Sequence, residues 1–284
     1  MPTYEITASF NGTINTGEYA NEKPLFSIKE VFDSEKPLNG ELAIRQSELF
    51  QMVRNQFKKA ELQSITEKIQ REREDIRIYQ IGDNLYPSVT SIIGWDTDFY
   101  LDKFRLAQYA ARGSIIHKQI ELYLKNGEWK DPKDIPECYP DLVTLKKGDL
   151  KLSYDDCDFR SFYEKYPFDV IELERTIVNH EHRYAGRLDI KGIPRGAEWK
   201  KAGAKEVPTI FDVKTGVVDE SKHFTQLSAY WNGEGNEDVE QAAVLIINNK
   251  TQQGFSKPKI CTDKEKYWSL FLQDRKNFNN RFQI

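Results

Sequence analysis

Three stretches of the chain place carboxylates, a lysine and an imidazole where apolar side chains are expected. The run Ile210-Phe211-Asp212-Val213-Lys214-Thr215 reads as a buried strand. Side chains alternate along a strand, so Asp212 and Lys214 stand on one side and Val213 on the other. In Gly186-Arg187-Leu188-Asp189-Ile190, Asp189 likewise sits within a strand. Two aspartates on neighbouring strands supply oxygen ligands for a hard cation such as Mg²⁺, which typically keeps water and substrate phosphate as its other ligands. A lysine beside that ion can position or deprotonate a water and offset charge developing on a phosphoryl group. An Asp-x-Lys by itself is more often a surface ion pair, so its company decides its meaning.

That company lies on two helical stretches. Upstream, Gly113-Ser114-Ile115-Ile116-His117 runs on to Glu121, and His117 and Glu121, four apart, share a helix face. Downstream, Gln226 and Tyr230 are also four apart. Gln226 could hold a phosphate or the lysine, and Tyr230 could stack or contact a backbone. Alone, each pair would be an ordinary polar neighbour at a helix surface or core edge.

The elements that must carry these residues follow from periodicity. Helices are expected at about 98–111 and, after Gly113, at 114–125; strands at 170–178, 183–193 and 209–214; a helix at 222–231; a buried strand at 243–248; and a closing amphipathic helix at 264–278. The order α, β, β, β, α, β indicates an α/β domain with a mixed central sheet. An irregular acidic stretch, 128–169, separates the first helices from the strands. Before residue 86 the pattern differs. Short β-like pieces broken by Asn11-Gly12 and Thr16-Gly17 precede a long helix over 41–74, with Leu42, Leu49, Val53, Phe57, Ala60, Ile65 and Ile69 on one side. A strand at 77–81 and a turn at Asp83-Asn84 lead to the boundary. Residues 1–85 therefore read as an N-terminal α+β accessory region and 86–284 as the main domain.

Composition narrows the classes. The 284 residues carry 41 Lys+Arg against 45 Asp+Glu, a net charge of -4, which does not advertise a nucleic-acid partner. Residues 128–169 hold eleven acidic and seven basic side chains, so their excess matches the whole chain's and the rest is balanced. The longest apolar run, 242–247, is six residues where about 20 are needed to span a membrane. Residues 1–10 contain Glu5 and no basic residue, unlike a signal or transit peptide. Cys138, Cys157 and Cys261 are scattered, odd in number and without a CxxC pair. They form neither a disulfide framework nor a zinc or iron–sulfur motif, and a cytosol-like compartment is expected.

Taken together, Gly113-x-x-x-His117-x-x-x-Glu121, Gly186-x-x-Asp189, Asp212-x-Lys214 and Gln226-x-x-x-Tyr230 resemble the RecB-type branch of the PD-(D/E)XK nuclease superfamily. Tyr86-Pro-Ser-Val-Thr-Ser-Ile-Ile93 resembles the start of phage exonucleases and of the mitochondrial genome maintenance exonuclease. The resemblance covers about residues 86–284 and none of 1–85. It implies a restriction-endonuclease-like αβββαβ core and a divalent-metal phosphodiesterase acting on DNA, end-dependent and of phage or bacterial recombination or repair. An endonuclease of the same fold, or a DNA- or protein-binding module that does not cleave, are the alternatives. Carried over by position, His117, Asp189, Asp212 and the Val213 carbonyl would ligate Mg²⁺ or Mn²⁺, Lys214 would be the catalytic lysine, and Glu121, Gln226 and Tyr230 would support the site. Glu174 holds a strand position where relatives often carry a Glu, with its role open. Asp212 stands where many relatives have Glu, and the four-cysteine cluster of the iron–sulfur branches is missing, so no such centre is expected. Arg187, Thr215, Lys200 and Lys201 complete the expected substrate contacts. The last two belong to the loop 191–205, whose five basic residues against one Glu suggest either a phosphate-contacting tip or a solvated loop. His180, His182 and His223 are expected at the surface or behind the site. DNA is the expected partner, and residues 1–85 could serve a homo-oligomer or a protein partner.

Overall fold

The structure is a computed structural model that describes residues 3–11, 14–15, 21–22, 25–33, 39–97, 103–141, 158–247 and 253–284. The turn signals at Gly12 and Thr16-Gly17, the start of the helix expected from residue 98, much of the acidic stretch, and Cys157 lie outside those residues. The chain divides into two compact units, Met1–Pro87 with Ile284, and Ser88–Gln283.

In the first unit, β1 (Thr3–Asn11) pairs antiparallel with β4 (Leu25–Asp33), and the short β2 (Ile14–Asn15) and β3 (Asn21–Glu22) pair within the connection. The helix α1 (Asn39–Glu72) lays Leu49 and Val53 against Ala8, Phe10, Phe26 and Ile28. Phe57 adds edge-on ring contacts to Phe10 and Phe26, at 4.8 and 6.1 Å. The charged side of α1 is laced by local pairs such as Arg45–Glu48 and Lys58–Glu61, as a solvated helix face should be. The hairpin β5 (Ile78–Ile81) and β6 (Asn84–Pro87) turns at Gly82-Asp83, one residue earlier than expected, because Gly82 at φ +57° supplies the left-handed conformation the tight turn needs.

In the second unit a five-stranded mixed sheet has the order β11-β10-β9-β8-β7. Here β7 is Phe168–Asn179, β8 Tyr184–Pro194, β9 Thr209–Lys214, β10 Gln241–Ile246 and β11 Lys259–Cys261. The pairs β7–β8, β8–β9 and β10–β11 are antiparallel and β9–β10 is parallel. Central β9 is buried from Thr209 to Val213 and half-buried at Lys214, as suits a strand covered on both faces. The helices are α2 (Val89–Gly94), α3 (Lys103–Asn126), α4 (Phe159–Lys165), α5 (Ala197–Ala202), α6 (Glu220–Trp231) and α7 (Lys264–Phe282). The core gathers Ile116 and Ile120 of α3, Phe159 and Phe162 of α4, Trp199 of α5 and Ile190, Phe211, Val213 and Leu245 of the sheet.

Three expectations are corrected. Gly113 does not divide two helices: α3 runs through it without a break. A helix-interior glycine costs about 1 kcal/mol relative to alanine. Burying Ala111, Ile115, Ile116 and Ile120 on either side outweighs that. The acidic stretch is not wholly irregular, since it contains α4. Asp158 caps that helix at the Ser161 N–H, 2.9 Å away, and Phe159, Phe162, Tyr163 and Tyr166 recur at three- and four-residue steps. The closing helix reaches Phe282 rather than 278, and its last turn sets the Phe282 ring edge-on to Trp95 at 5.7 Å. Among the described residues no helix is long and apolar enough to cross a membrane, and Cys138 and Cys261 are free and buried.

Candidate functional site

The sheet brings Asp189 of β8 and Asp212 of β9 together, with α3 and α6 delivering the remaining groups. The antiparallel register pairs Ile190 with Phe211, so the next position along sets Asp189 opposite Asp212. Asp189 Oδ2 accepts the Val213 N–H at 2.8 Å, and its Oδ1 lies 3.4 Å from His117 Nδ1. The other ring nitrogen, His117 Nε2, is 3.1 Å from the Val213 carbonyl oxygen. Both nitrogens thus face acceptors, an arrangement that suits the imidazolium. Burial alone would depress His117, but the Asp189 carboxylate outweighs it and holds the imidazole above its ordinary value. The converse holds for Asp189: burial pushes it up, yet His117, Lys214 and the Val213 N–H together bring it down.

Asp212 is 2% exposed. Lys214 Nζ donates to its Oδ1 at 2.9 Å and stands 2.7 Å from Oδ2, which is buried and accepts no hydrogen bond of good angle. Burial raises this carboxyl to about 6 despite Lys214, with the Asp189 charge adding to the rise. Val213, between the two, turns its side chain into the core. From α6, Gln226 Nε2 reaches Asp212 Oδ1 at 3.2 Å and the Tyr230 hydroxyl at 3.0 Å. The Gly186 of the Gly-x-x-Asp stretch has a steric reason. A Cβ there would sit 2.7 Å from Tyr230 Cε1, so only glycine lets the ring pass beneath Gln226.

Glu174, whose role the sequence left open, stands with His117 and Asp189. One ligand atom from each of the three lies within 4.8 Å of the others. It stands at φ +50°, a left-handed conformation that a non-glycine residue adopts at a cost of about 1–3 kcal/mol, two residues past the register shift between Val170 and Glu172. Burial raises its carboxyl, with Asp189 adding to the effect. Arg187 pairs with it at 2.8 Å and is itself well exposed, so this arginine borders the cluster.

Glu121 is not brought into direct contact with the cluster. Lys118 and Lys125 bind it at 3.0 and 2.5 Å, and their charges outweigh its burial and lower its carboxyl. Thr215 follows Lys214, and its carbonyl accepts Arg112 Nη1 at 2.6 Å, tying α3 to the end of β9. Sequence reasoning passed over Arg112. Its signal was a basic residue directly before Gly113 in a largely apolar helix face.

Lys200 and Lys201 are on α5, in the connection between the β8 end and the β9 start. Lys200 pairs with Glu206 at 3.2 Å and Lys201 with Glu198 at 2.5 Å. Two further basic residues of that stretch are paired as well: Lys191 is buried against Asp238 at 2.6 Å, and Arg195 binds Asp169 at 2.5 Å. His223 is half-buried, the second of the two places expected for it. It lies on α6 near Lys214, and burial followed by that lysine's charge lowers it to about 4. His180 and His182 stand in the β7–β8 turn, away from the cluster.

The donors present fit a divalent cation. Imidazole nitrogen and carboxylate oxygens converge at His117, Glu174 and Asp189, and the buried Oδ2 of Asp212 keeps acceptor capacity nearby. Mixed N/O donors suit Mn²⁺ as well as Mg²⁺. No protein-family model matches the chain, and no curated protein matches it.

Proposed function

We propose that residues 88–283 form a divalent-metal-dependent phosphodiesterase of the PD-(D/E)XK kind, with DNA as substrate and strand ends as its point of attack. One observation carries this reading. A lysine and a buried aspartate two residues apart share an ion pair on one strand, beside a second aspartate and a histidine that converge on the intervening backbone.

His117, Asp189, Asp212 and the Val213 carbonyl would hold the cation, with Glu174 as a further carboxylate donor. When bound, it supplies Lewis-acid charge at a phosphoryl oxygen. The chain's own groups do the rest. Gln226 holds Asp212 in place, and Tyr230 fixes the Gln226 amide in turn. Lys214 stands where its ammonium can orient an attacking water and offset charge that grows on the phosphoryl oxygens, an effect strongest away from bulk solvent. Arg112 anchors the backbone that follows Lys214. Arg187, exposed beside Glu174, would meet a phosphate.

The test is incubation of the purified protein with Mn²⁺ or Mg²⁺ and end-labelled linear or closed circular DNA. Loss of linear DNA from its ends, survival of circles and abolition by excess EDTA are expected. Full activity in EDTA would sink the metal mechanism. Rapid linearisation of circles would make the enzyme an endonuclease, and tight binding without cleavage would leave a binding module.

A further inference from the structure

The basic side chains of the 191–205 loop are largely paired, but two cations elsewhere are not. Among the described residues no carboxylate pairs with Arg183 or Lys276. Both line a cleft of about 310 Å³ between the β7–β8 turn and α7. The turn contributes His182 and Arg183, and the helix contributes Leu272, Arg275, Lys276 and Asn279. These four helix positions fall at i, i+3, i+4 and i+7, one continuous stripe. Glu181 is the acidic residue of the lining, and its side chain is 85% exposed.

The walls are fixed rather than loose. Asn179 Oδ1 accepts the His182 N–H at 2.8 Å, closing the turn. Arg275 is buried and donates from Nε to the His182 carbonyl at 2.9 Å and from Nη2 to the Arg183 carbonyl at 3.2 Å. The His182 ring lies edge-on to Trp268 at 5.2 Å, and Tyr184 lies edge-on to Phe271 at 4.8 Å. Arg183 is held at φ +50°. Burial, and then the neighbouring Arg183, push the Arg275 guanidinium down to about 10, as expected where like charges crowd together. Arg183 and Lys276 thus line a fixed, open depression with the buried Arg275 charge behind them, a surface suited to an anion with several acceptor oxygens.

We propose that this cleft is a phosphate-binding site for a nucleic-acid backbone, separate from the candidate catalytic cluster. The source of the phosphate rests on the DNA reading above; the anion chemistry does not. Arg183 precedes Asp189 by six residues on nearly extended chain, so the two sites are about 20 Å apart. At about 3.4 Å per step of duplex, that is about six base pairs. A duplex whose end lies at the cluster reaches the cleft only when it is longer than that.

The experiment compares the wild type with Arg183→Asn/Lys276→Ala. Asparagine tolerates the left-handed backbone at 183, and alanine suits a helix. Fluorescence anisotropy in EDTA, where no cleavage is expected, follows labelled duplexes of about five and about 20 base pairs over a salt series. The double variant should bind the long duplex on the order of tenfold more weakly, and its log–log salt slope should fall by about two. Its affinity for the short duplex should be unchanged. Equal affinities and slopes for the long duplex would overturn the proposal, as would equal weakening for both lengths. A parallel titration with inorganic phosphate, followed by NMR, should move the amides of residues 182 and 183. Movement there with no variant effect on DNA would remove the nucleic-acid assignment. The two readings fail separately. Cleavage of DNA with no effect of the double variant removes this site alone, whereas a variant effect on binding without cleavage in Mn²⁺ removes the nuclease alone.

Discussion

Gly186→Ala tests whether close packing beneath Gln226 builds the site. The added methyl would meet Tyr230 Cε1 at 2.7 Å and Val89 Cγ2 at 3.3 Å. Carbon atoms are comfortable at about 3.5–4.0 Å, so the ring must retreat by about 1 Å. Tyr230 is 4% exposed and has little room for that. Overpacking of this size costs about 1–3 kcal/mol, of which the reduced freedom of the unfolded chain returns about 0.4–1. A net loss of about 1–2 kcal/mol should lower the melting temperature by about 2–8 °C for a unit of this size. The displaced ring would also stretch the 3.0 Å bond from Gln226 and loosen its hold on Asp212, so cleavage should slow along with stability. Thermal and denaturant unfolding of Gly186→Ala, Tyr230→Leu and the double variant would measure it. With the ring gone, the methyl should do little further harm. Melting of Gly186→Ala at the wild-type temperature, or additivity of the two changes within about 0.5 kcal/mol, would refute the close-approach account.

Lys214→Ala should reduce cleavage by about 10²–10⁴-fold while DNA affinity, measured by anisotropy, stays near wild type; wild-type turnover would make the Asp212–Lys214 pair incidental. His117→Ala should weaken Mn²⁺ binding in calorimetry more than Glu121→Gln does, because Glu121 is held by two lysines outside the cluster; the reverse order would exchange their roles. Glu174→Gly should keep or raise stability by relieving the left-handed backbone, yet bind Mn²⁺ more weakly, and unchanged affinity would remove Glu174 from the donor set. Burial, with Asp96 adding to it, raises Asp274 from 3.8 to about 6. The native state therefore favours the protonated form: this stabilisation is full below about pH 4 and lost as pH rises through about 6. Asp274→Asn should then melt a few degrees above the wild type at pH 8 and converge with it near pH 4, and a constant difference across that range would count against it.

Strand text was the most legible part of this sequence. The strand Thr209–Lys214 is legible because six residues with β-branched and aromatic members are short for a helix, and Asp212 and Lys214 share a side by the two-residue period. The paired contacts of Gln226 and Tyr230 follow in the same way from a four-residue step on one helix. What escaped depended on backbone states or on partners distant in sequence. The helix α4 was hidden by the acidic composition around it, although Asp158 and the spacing of four aromatic residues mark it. Glu174 joins His117 and Asp189 from a left-handed backbone position, which no pattern of polar and apolar residues encodes.

Charge was the hardest quantity to read, and the 191–205 loop shows why. Five basic residues against one acidic residue looked like an open cationic tip, yet Asp169 comes from the preceding strand, Glu206 from the far side of α5, and Asp238 from beyond α6. Each partner lies outside the window in which the loop was counted. The reverse applies to the cleft beside α7. Arg183 stands in a turn next to Glu181, and Lys276 follows Asp274, so local counting finds both balanced. Folding brings them together from 93 residues apart in sequence, while Glu181 borders the cleft with its side chain largely exposed and Asp274 lies toward Asp96. A net charge of -4 therefore says little about where a polyanion could bind, because field strength depends on which charges the fold leaves unpaired on a concave surface. For this chain the candidate chemistry could be read from spacing within single elements, while the candidate phosphate contact required the turn and the helix to be assembled first.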